Sequence, residues 1–239
     1  MTRGHSRPWR NKVERDLADR RVRDNVGADQ IAYYRERAPW FDDVYACEGD
    51  YDRGPELNAQ WLDDLATIEA ALADAPLHGD CVELGAGTGY WTEQVIDRVD
   101  RVWALDASPE ALELARRRLA TREHKVQFDV VDLWSWQPDR RWDCALACFF
   151  IEHVPDELLA ALLDTVRAAL SPGAAFFVID GAAFDPEPQV ETREIADRRF
   201  DVVERRRTAT EYTEAFEAAR FAIQVAGNDR YTWFTAIRR

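Results

Sequence analysis

One passage constrains the fold of this chain more than any other: Cys81-Val82-Glu83-Leu84-Gly85-Ala86-Gly87-Thr88-Gly89. Its first four residues suit a short buried strand, three alternating glycines follow, and a helical pattern then runs to about Arg98. Glycine is wanted where a chain turns tightly or lets another molecule approach its backbone. The helix amino terminus beyond such a turn attracts a carboxylate or phosphate. The G-x-G-x-x-G spacing is not met, because Tyr90 stands where its third glycine belongs. No Gly-Lys-Ser/Thr follows either. The passage predicts a strand–turn–helix unit and supports neither NAD nor ATP.

The same rhythm repeats downstream. Val102 to Leu105 predicts a second strand ending at Asp106, and Ser108 caps a helix with Pro109 in its first turn. Val126 to Val131, Asp143 to Phe149 and Ala175 to Ile179 predict three more strands. Between the last two, Leu159, Leu162, Leu163, Val166 and Leu170 mark one face of a helix broken by Ser171-Pro172-Gly173. Alternating strands and helices, with several strands that are continuous apolar runs, indicate a parallel sheet covered on both faces. Beyond Pro188, Asp201 to Arg207 reads as an exposed strand, and Thr208 to Glu211 as a capping box opening a helix to Arg220. Phe221 to Val225 and Tyr231 to Ile237 read as a hairpin about Gly227-Asn228-Asp229. The expected fold is therefore α/β, a doubly wound Rossmann-like sheet of seven strands, mostly parallel, with an antiparallel carboxyl-terminal strand pair.

Upstream of this sheet the pattern is helical. Leu57, Trp61, Leu65, Ile68 and Leu72 recur at helical spacing, with Pro55 in the first turn. Val13, Leu17 and Val22 suggest a short helix, and Asp29 to Ala38 another, stopped by Pro39. Residues 1–54 are thus expected to form an amino-terminal helical arm or lid on a domain of residues 55–239.

Charge narrows the partners. Against 45 acidic residues stand 31 basic ones, for a net charge of −14, and only Lys12 and Lys125 of the basic set are lysine. Residues 1–23 run the other way, with a local balance of +5 on an otherwise acidic body. Excess acid weighs against a nucleic-acid phosphate backbone and an anionic membrane surface. The basic arm is a candidate lid or homodimer contact. Cys47, Cys81, Cys144 and Cys148 are too scattered for a disulfide scaffold. In a strand, the Cys144/Cys148 spacing spans about 13 Å, too far for one metal, so no metal site is expected. Met1 to Arg10 lacks an apolar signal region and no apolar run approaches the ~20 residues of a membrane span. A cytoplasmic location is expected.

Two further acids complete a pattern with the glycine turn. Asp106 ends the second predicted strand, nineteen residues after Gly87, where a carboxylate accepts both hydroxyls of a ribose. Asp132, between Val131 and Leu133, ends the third, where an acid or backbone group meets an adenine amino group and apolar neighbours sandwich the ring. In these residues the chain resembles the class I S-adenosylmethionine-dependent methyltransferases. Glu83 to Gly89 matches that family's E/D-x-G-x-G-x-G loop, Asp106 its ribose acid and Asp132 its adenine-side acid. Phe149 to Glu157 resembles the segment after the fourth strand in small-molecule and quinone-type members. Leu170-Ser171-Pro172-Gly173-Ala174 resembles their L-x-P-G-G turn with alanine for the second glycine. Tyr33-Tyr34, Asp42 and Tyr45 resemble their amino-terminal lid.

The resemblance implies S-adenosyl-L-methionine as cofactor, held by Tyr34, Glu83, Gly85, Ala86, Gly87, Thr88, Gly89, Asp106, Ala107, Asp132, Leu133 and Phe149. It implies methylation of an O, N or C centre of a small molecule, such as a natural-product intermediate. The alternatives are a nucleic-acid or protein methyltransferase and a non-catalytic S-adenosylmethionine-binding subunit. Among titratable residues, His153 is the candidate general base or a packing residue at the start of the next helix. Glu152 beside it is a candidate anchor for a cationic amine, or faces solvent. Aromatic side chains at Tyr33, Tyr34, Trp40, Phe41, Tyr45, Trp134 and Trp136 are candidates for stacking at the site edges, and Trp142 for the core. The charged connection Phe184 to Phe200 is expected to border the acceptor.

Overall fold

The computed structural model describes residues 27–183 and 189–239. The basic stretch 1–23, with the helix expected about Val13, Leu17 and Val22, lies outside the described residues, as does 184–188. Helix α1 covers residues 27–37, followed by a 3-10 turn at Ala38–Trp40 and the short helix α2, Asp43–Ala46. The strands and helices of the main body follow in order: α3 Pro55–Asp74, β1 Asp80–Leu84, α4 Tyr90–Val95, β2 Arg101–Asp106, α5 Pro109–Arg118, β3 Val126–Val130, β4 Trp142–Cys148, α6 Asp156–Ala169 and β5 Leu170–Gly181. Then come β6 Gln189–Ile195, β7 Arg198–Glu204, α7 Ala209–Ala218, β8 Phe221–Gly227 and β9 Tyr231–Arg238.

Seven strands form one sheet in the order β3-β2-β1-β4-β5-β9-β8. The first five are parallel, and β9 runs antiparallel to both β5 and β8. The continuous apolar runs have their reason in two cores. On one face Val82, Leu84, Ala145, Ala147, Phe176 and Val178 pack under α6 and α7. On the other, Cys81, Cys144, Leu146, Phe177 and Ile179 pack under α3, α4 and α5. Successive side chains of one strand feed opposite cores, so nearly every position is apolar. The stripe of α3 begins at Trp61 rather than Leu57, which is 49% exposed. Helix α5 is capped as expected, with Ser108 Oγ accepting from Ala111 N at 3.0 Å. Helix α7 carries the full capping box of Thr208 and Glu211.

Strand order reverses at β1, whose neighbours are β2 and β4. A crevice opens beyond the carboxyl ends of strands at such a switch point. Over it lies an element that the sequence pattern did not separate. Strands β6 and β7 form an antiparallel hairpin of their own, where a connection and an exposed strand were expected. Phe200 and Val202 point inward and pack on Tyr33 of α1. The run is charged because its other face is solvated, which hides the alternation. Among the described residues, no helix is long and apolar enough to cross a membrane.

Candidate active site

The glycine turn closes the floor of the crevice. Gly85, Gly87 and Gly89 all take positive φ. A Cβ at Gly85 would lie 2.6 Å from the Phe150 ring, and one at Gly89 would lie 3.0 Å from Ala115 Cβ. Gly89 is therefore needed for close packing of α4 on α5. Glu83, 2% exposed, lies beneath the turn and takes a 2.5 Å hydrogen bond from Thr92 Oγ1 of α4. Burial pushes its carboxyl up to about 8. Thr88 also turns away from the crevice: its hydroxyl donates to Asp42 at 2.5 Å, and Arg118 binds both Asp42 and the Thr88 carbonyl. The loop thus fastens the amino-terminal segment to the sheet.

Asp106 occupies the end of β2. Its two carboxylate oxygens accept from Gly87 N and Ser108 N, both at 2.8 Å. Burial raises its pKa, against the pull of those N–H groups. Each oxygen retains a lone pair, so the acid keeps acceptor capacity for a diol. A cavity of about 100 Å³ opens here, lined by Tyr34, Gly85, Gly87, Asp106, Ala107, Asp132, Leu133 and Phe149 among others. Eight of the expected cofactor residues therefore meet at one surface, whereas Glu83, Ala86, Thr88 and Gly89 support the turn without lining it. Asp132 accepts from Trp134 N at 3.0 Å, which fixes a turn and brings Trp134 to the same wall. Trp136 instead packs against Trp142 on the core, and Trp40 is 54% exposed.

A second cavity, about 590 Å³, adjoins the first. Tyr34, Phe41, Phe149 and His153 line both. Phe149 holds φ at +52°, a costly conformation for a bulky residue. Its N–H is fixed to Ile179 O at 2.6 Å. His153 Nδ1 lies 2.7 Å from Val203 O, which only accepts, so Nδ1 carries the proton of the neutral ring. Nε2 is then the acceptor for the Tyr34 hydroxyl at 2.8 Å. Burial raises the Tyr34 pKa, opposed by Arg193 and Arg37. Gln30 ties the assembly together, donating to His153 O at 3.0 Å and accepting from Val203 N at 3.1 Å.

Glu152 does not face solvent. It is 6% exposed, lines the second cavity and accepts from Gly181 N at 2.9 Å. The carboxyl end of β5 thus draws it inward, and its neighbour there is the Arg206 guanidinium, with Nε 3.9 Å away. Gln30 and the arginines of this cavity, absent from the sequence expectation, carry no motif. Gln30 sits on α1 and the arginines on α1, the hairpin and loops far apart in sequence.

A glycine turn, a buried acid closing the next strand and a cavity at the switch point define an α/β protein of the nucleotide-cofactor-binding class. A family profile described as a methyltransferase domain matches residues 81–173. The 2-heptyl-1-hydroxyquinolin-4(1H)-one methyltransferase of Mycobacteroides abscessus is 29% identical over 137 residues, which cover 53% of this chain and 60% of the relative. A ubiquinone biosynthesis O-methyltransferase of Xylella fastidiosa is 36% identical over 110 residues, covering 43% of this chain and 42% of its own length. The match thus spans less than two thirds of either curated relative. Among solved structures, a DhpI–SAM–HEP complex is 30% identical with a TM-score of 0.76, covering 89% of this chain and 97% of that one. The chain belongs to the class I S-adenosylmethionine-dependent methyltransferase family.

Proposed function

We propose that this chain methylates an O, N or C nucleophile of a small molecule with S-adenosylmethionine as methyl donor. One juxtaposition carries the reading: Tyr34, Phe41, Phe149 and His153 form the wall common to a smaller and a larger cavity. The donor belongs in the smaller, where Asp106 would take the ribose hydroxyls, Asp132 and Leu133 the adenine, and Gly85 and Gly87 the approach of the chain. The larger cavity, about 590 Å³, suits a small acceptor rather than a polymer.

When bound, S-adenosylmethionine supplies an electrophilic methyl: the acceptor's lone pair forms the new bond to carbon as the carbon–sulfur pair returns to sulfur. The residues of this chain have three tasks. The shared wall holds the acceptor in line, which supplies much of the rate. The rings of Tyr34, Phe41 and Phe149 keep water out and present π faces to a positive centre. The Tyr34 hydroxyl takes a proton from an acceptor that carries one and passes its own to His153 Nε2. Calorimetry tests the reading: S-adenosylmethionine and S-adenosylhomocysteine are both expected to bind at micromolar concentration. A wild-type chain that binds neither would overturn it.

A further inference from the structure

The larger cavity is unusual for so acidic a chain. Five arginines line it, Arg37, Arg53, Arg193, Arg206 and Arg230, against three carboxylates, Asp50, Glu152 and Glu204. Most of that positive charge is already matched. Arg230 is clamped on Asp64 at 2.5 and 2.7 Å. Arg193 binds Glu191 at 2.9 Å and Glu204, and Arg206 shares Glu204.

Among the described residues the Arg53 side chain has no ion-pair or hydrogen-bond partner, and two further donors, built into the wall, are left over. Among the described residues, no carboxylate lies within ion-pair distance of Arg37. Its guanidinium is held instead by the Tyr51 hydroxyl and by the faces of Phe41 and Tyr51, 5.1 and 5.2 Å from their centroids. Aromatic partners orient a guanidinium without neutralising it. The second donor is Arg206 Nε. It is buried and has no hydrogen-bond partner, because Glu152 Oε2 at 3.9 Å is too distant. A Cβ at residue 181 would lie 2.9 Å from both that nitrogen and Glu152 Oε2, so glycine there is what lets the two side chains come this close to the end of β5. A buried N–H left without an acceptor is costly, more so on a charged group. Such a donor in a cavity wall points to an acceptor atom brought by a ligand.

Taking the larger cavity as the acceptor's, as proposed above, we propose that the acceptor carries an oxyanion, a carboxylate or phosphate-type group, bound by Arg37 and Arg206. Guanidinium forks match the paired oxygens of such groups and remain charged at all working pH. Glu152 then serves to hold Arg206 at the wall, in place of the amine-anchoring role its sequence position suggested. The anchor also brings a negative charge to the cavity that adjoins the cationic methyl donor.

The test titrates the full chain, saturated with S-adenosylhomocysteine, with inorganic phosphate and separately with acetate at constant ionic strength. Tryptophan fluorescence reports binding, since Trp61 lines the cavity. Saturable binding of at least one anion is expected, weakened tenfold or more by Arg37→Gln and by Arg206→Gln. Arg37→Lys should retain part of the affinity, and Arg117→Gln, on the exposed side of α5, all of it. Tighter phosphate binding assigns a phosphate-type group, and tighter acetate binding a carboxylate. A wild type that binds S-adenosylhomocysteine but neither anion would overturn this inference alone, as would anion affinities unchanged in both glutamine variants. A wild type that fails to bind S-adenosylhomocysteine would overturn the methyl-transfer reading and the acceptor assignment with it. If one variant fails to bind S-adenosylhomocysteine, and so has not folded, the other carries the test.

Discussion

The hydroxyl of Tyr34 meets His153 Nε2 at 2.8 Å, while the opposite ring nitrogen is committed to a main-chain carbonyl. A histidine held this way keeps its basic nitrogen toward the shared wall of the two cavities. Nitrogen-15 NMR of the neutral ring should therefore show the Nδ1–H tautomer. Tyr34→Phe should preserve that tautomer, since the Val203 carbonyl fixes it. In transfer to an acceptor that loses a proton, His153→Gln should lower turnover about 10²-fold or more, with S-adenosylhomocysteine affinity within twofold of wild type. A dominant Nε2–H tautomer, or unchanged turnover, would assign His153 to packing.

Asp106 stands in the other cavity, and its loss should act on the cofactor alone. Hydrogen bonds to a charged group contribute about 1.5–3 kcal/mol each. Two of them to a ribose make Asp106→Ala weaken S-adenosylhomocysteine binding by roughly 10² or more. Asp106→Asn keeps the shape and one acceptor, so it should fall between. Calorimetry reads both, and an alanine variant binding as tightly as wild type would remove Asp106 from the ribose site.

The sheet and its acids were legible because their signals are local. A parallel strand buried on both faces writes a continuous apolar run, as β2 does before Asp106, whereas Asp132 follows the edge strand β3, where Gln127 and Asp129 alternate with apolar residues. The glycine loop was legible as a turn, but not which of its residues face the crevice: Thr88 and Gly89 answer to Asp42 and Ala115, distant in sequence. The hairpin was illegible for the opposite reason. Phe200 and Val202 of β7 pack on Tyr33 of α1, but Val203 between Val202 and Glu204 is buried as well, so the strand does not show a clean alternation. The arginine wall follows the same rule, being assembled from segments whose only common property is where the chain folds them.

Glu83 makes a pH prediction. Its pKa is about 8 in the folded chain against an ordinary 4.5. The folded state therefore holds this proton over a range where the unfolded state has lost it. The stability contributed by the protonated group is whole below pH ~4.5 and is lost as pH rises toward 8, to the extent of a few kcal/mol. Glu83→Gln keeps the shape and the Thr92 contact without an ionisable proton. Thermal denaturation should show the variant gaining on wild type from pH 5 to pH 8, with the gap levelling above that. A constant gap across the range would mean that Glu83 is ionised in the fold throughout.

The hairpin should open without the sheet. It forms a separate two-stranded sheet, anchored by Phe200 and Val202 on Tyr33 and by Val203, whose N–H and carbonyl meet Gln30 and His153. Truncating a buried phenylalanine costs about 3–5 kcal/mol. In an element with so few anchors, that loss falls on local opening rather than on global unfolding. Phe200→Ala should raise amide hydrogen exchange across residues 189–204 by tenfold or more, with protection in β1, β4 and β5 unchanged. Because β7 also supplies Glu204, the carboxylate that pairs with Arg206, the same variant should weaken anion binding while sparing S-adenosylhomocysteine. Exchange rising equally in β4 would show instead that hairpin and sheet unfold as one unit, and that the cavity roof is part of the core.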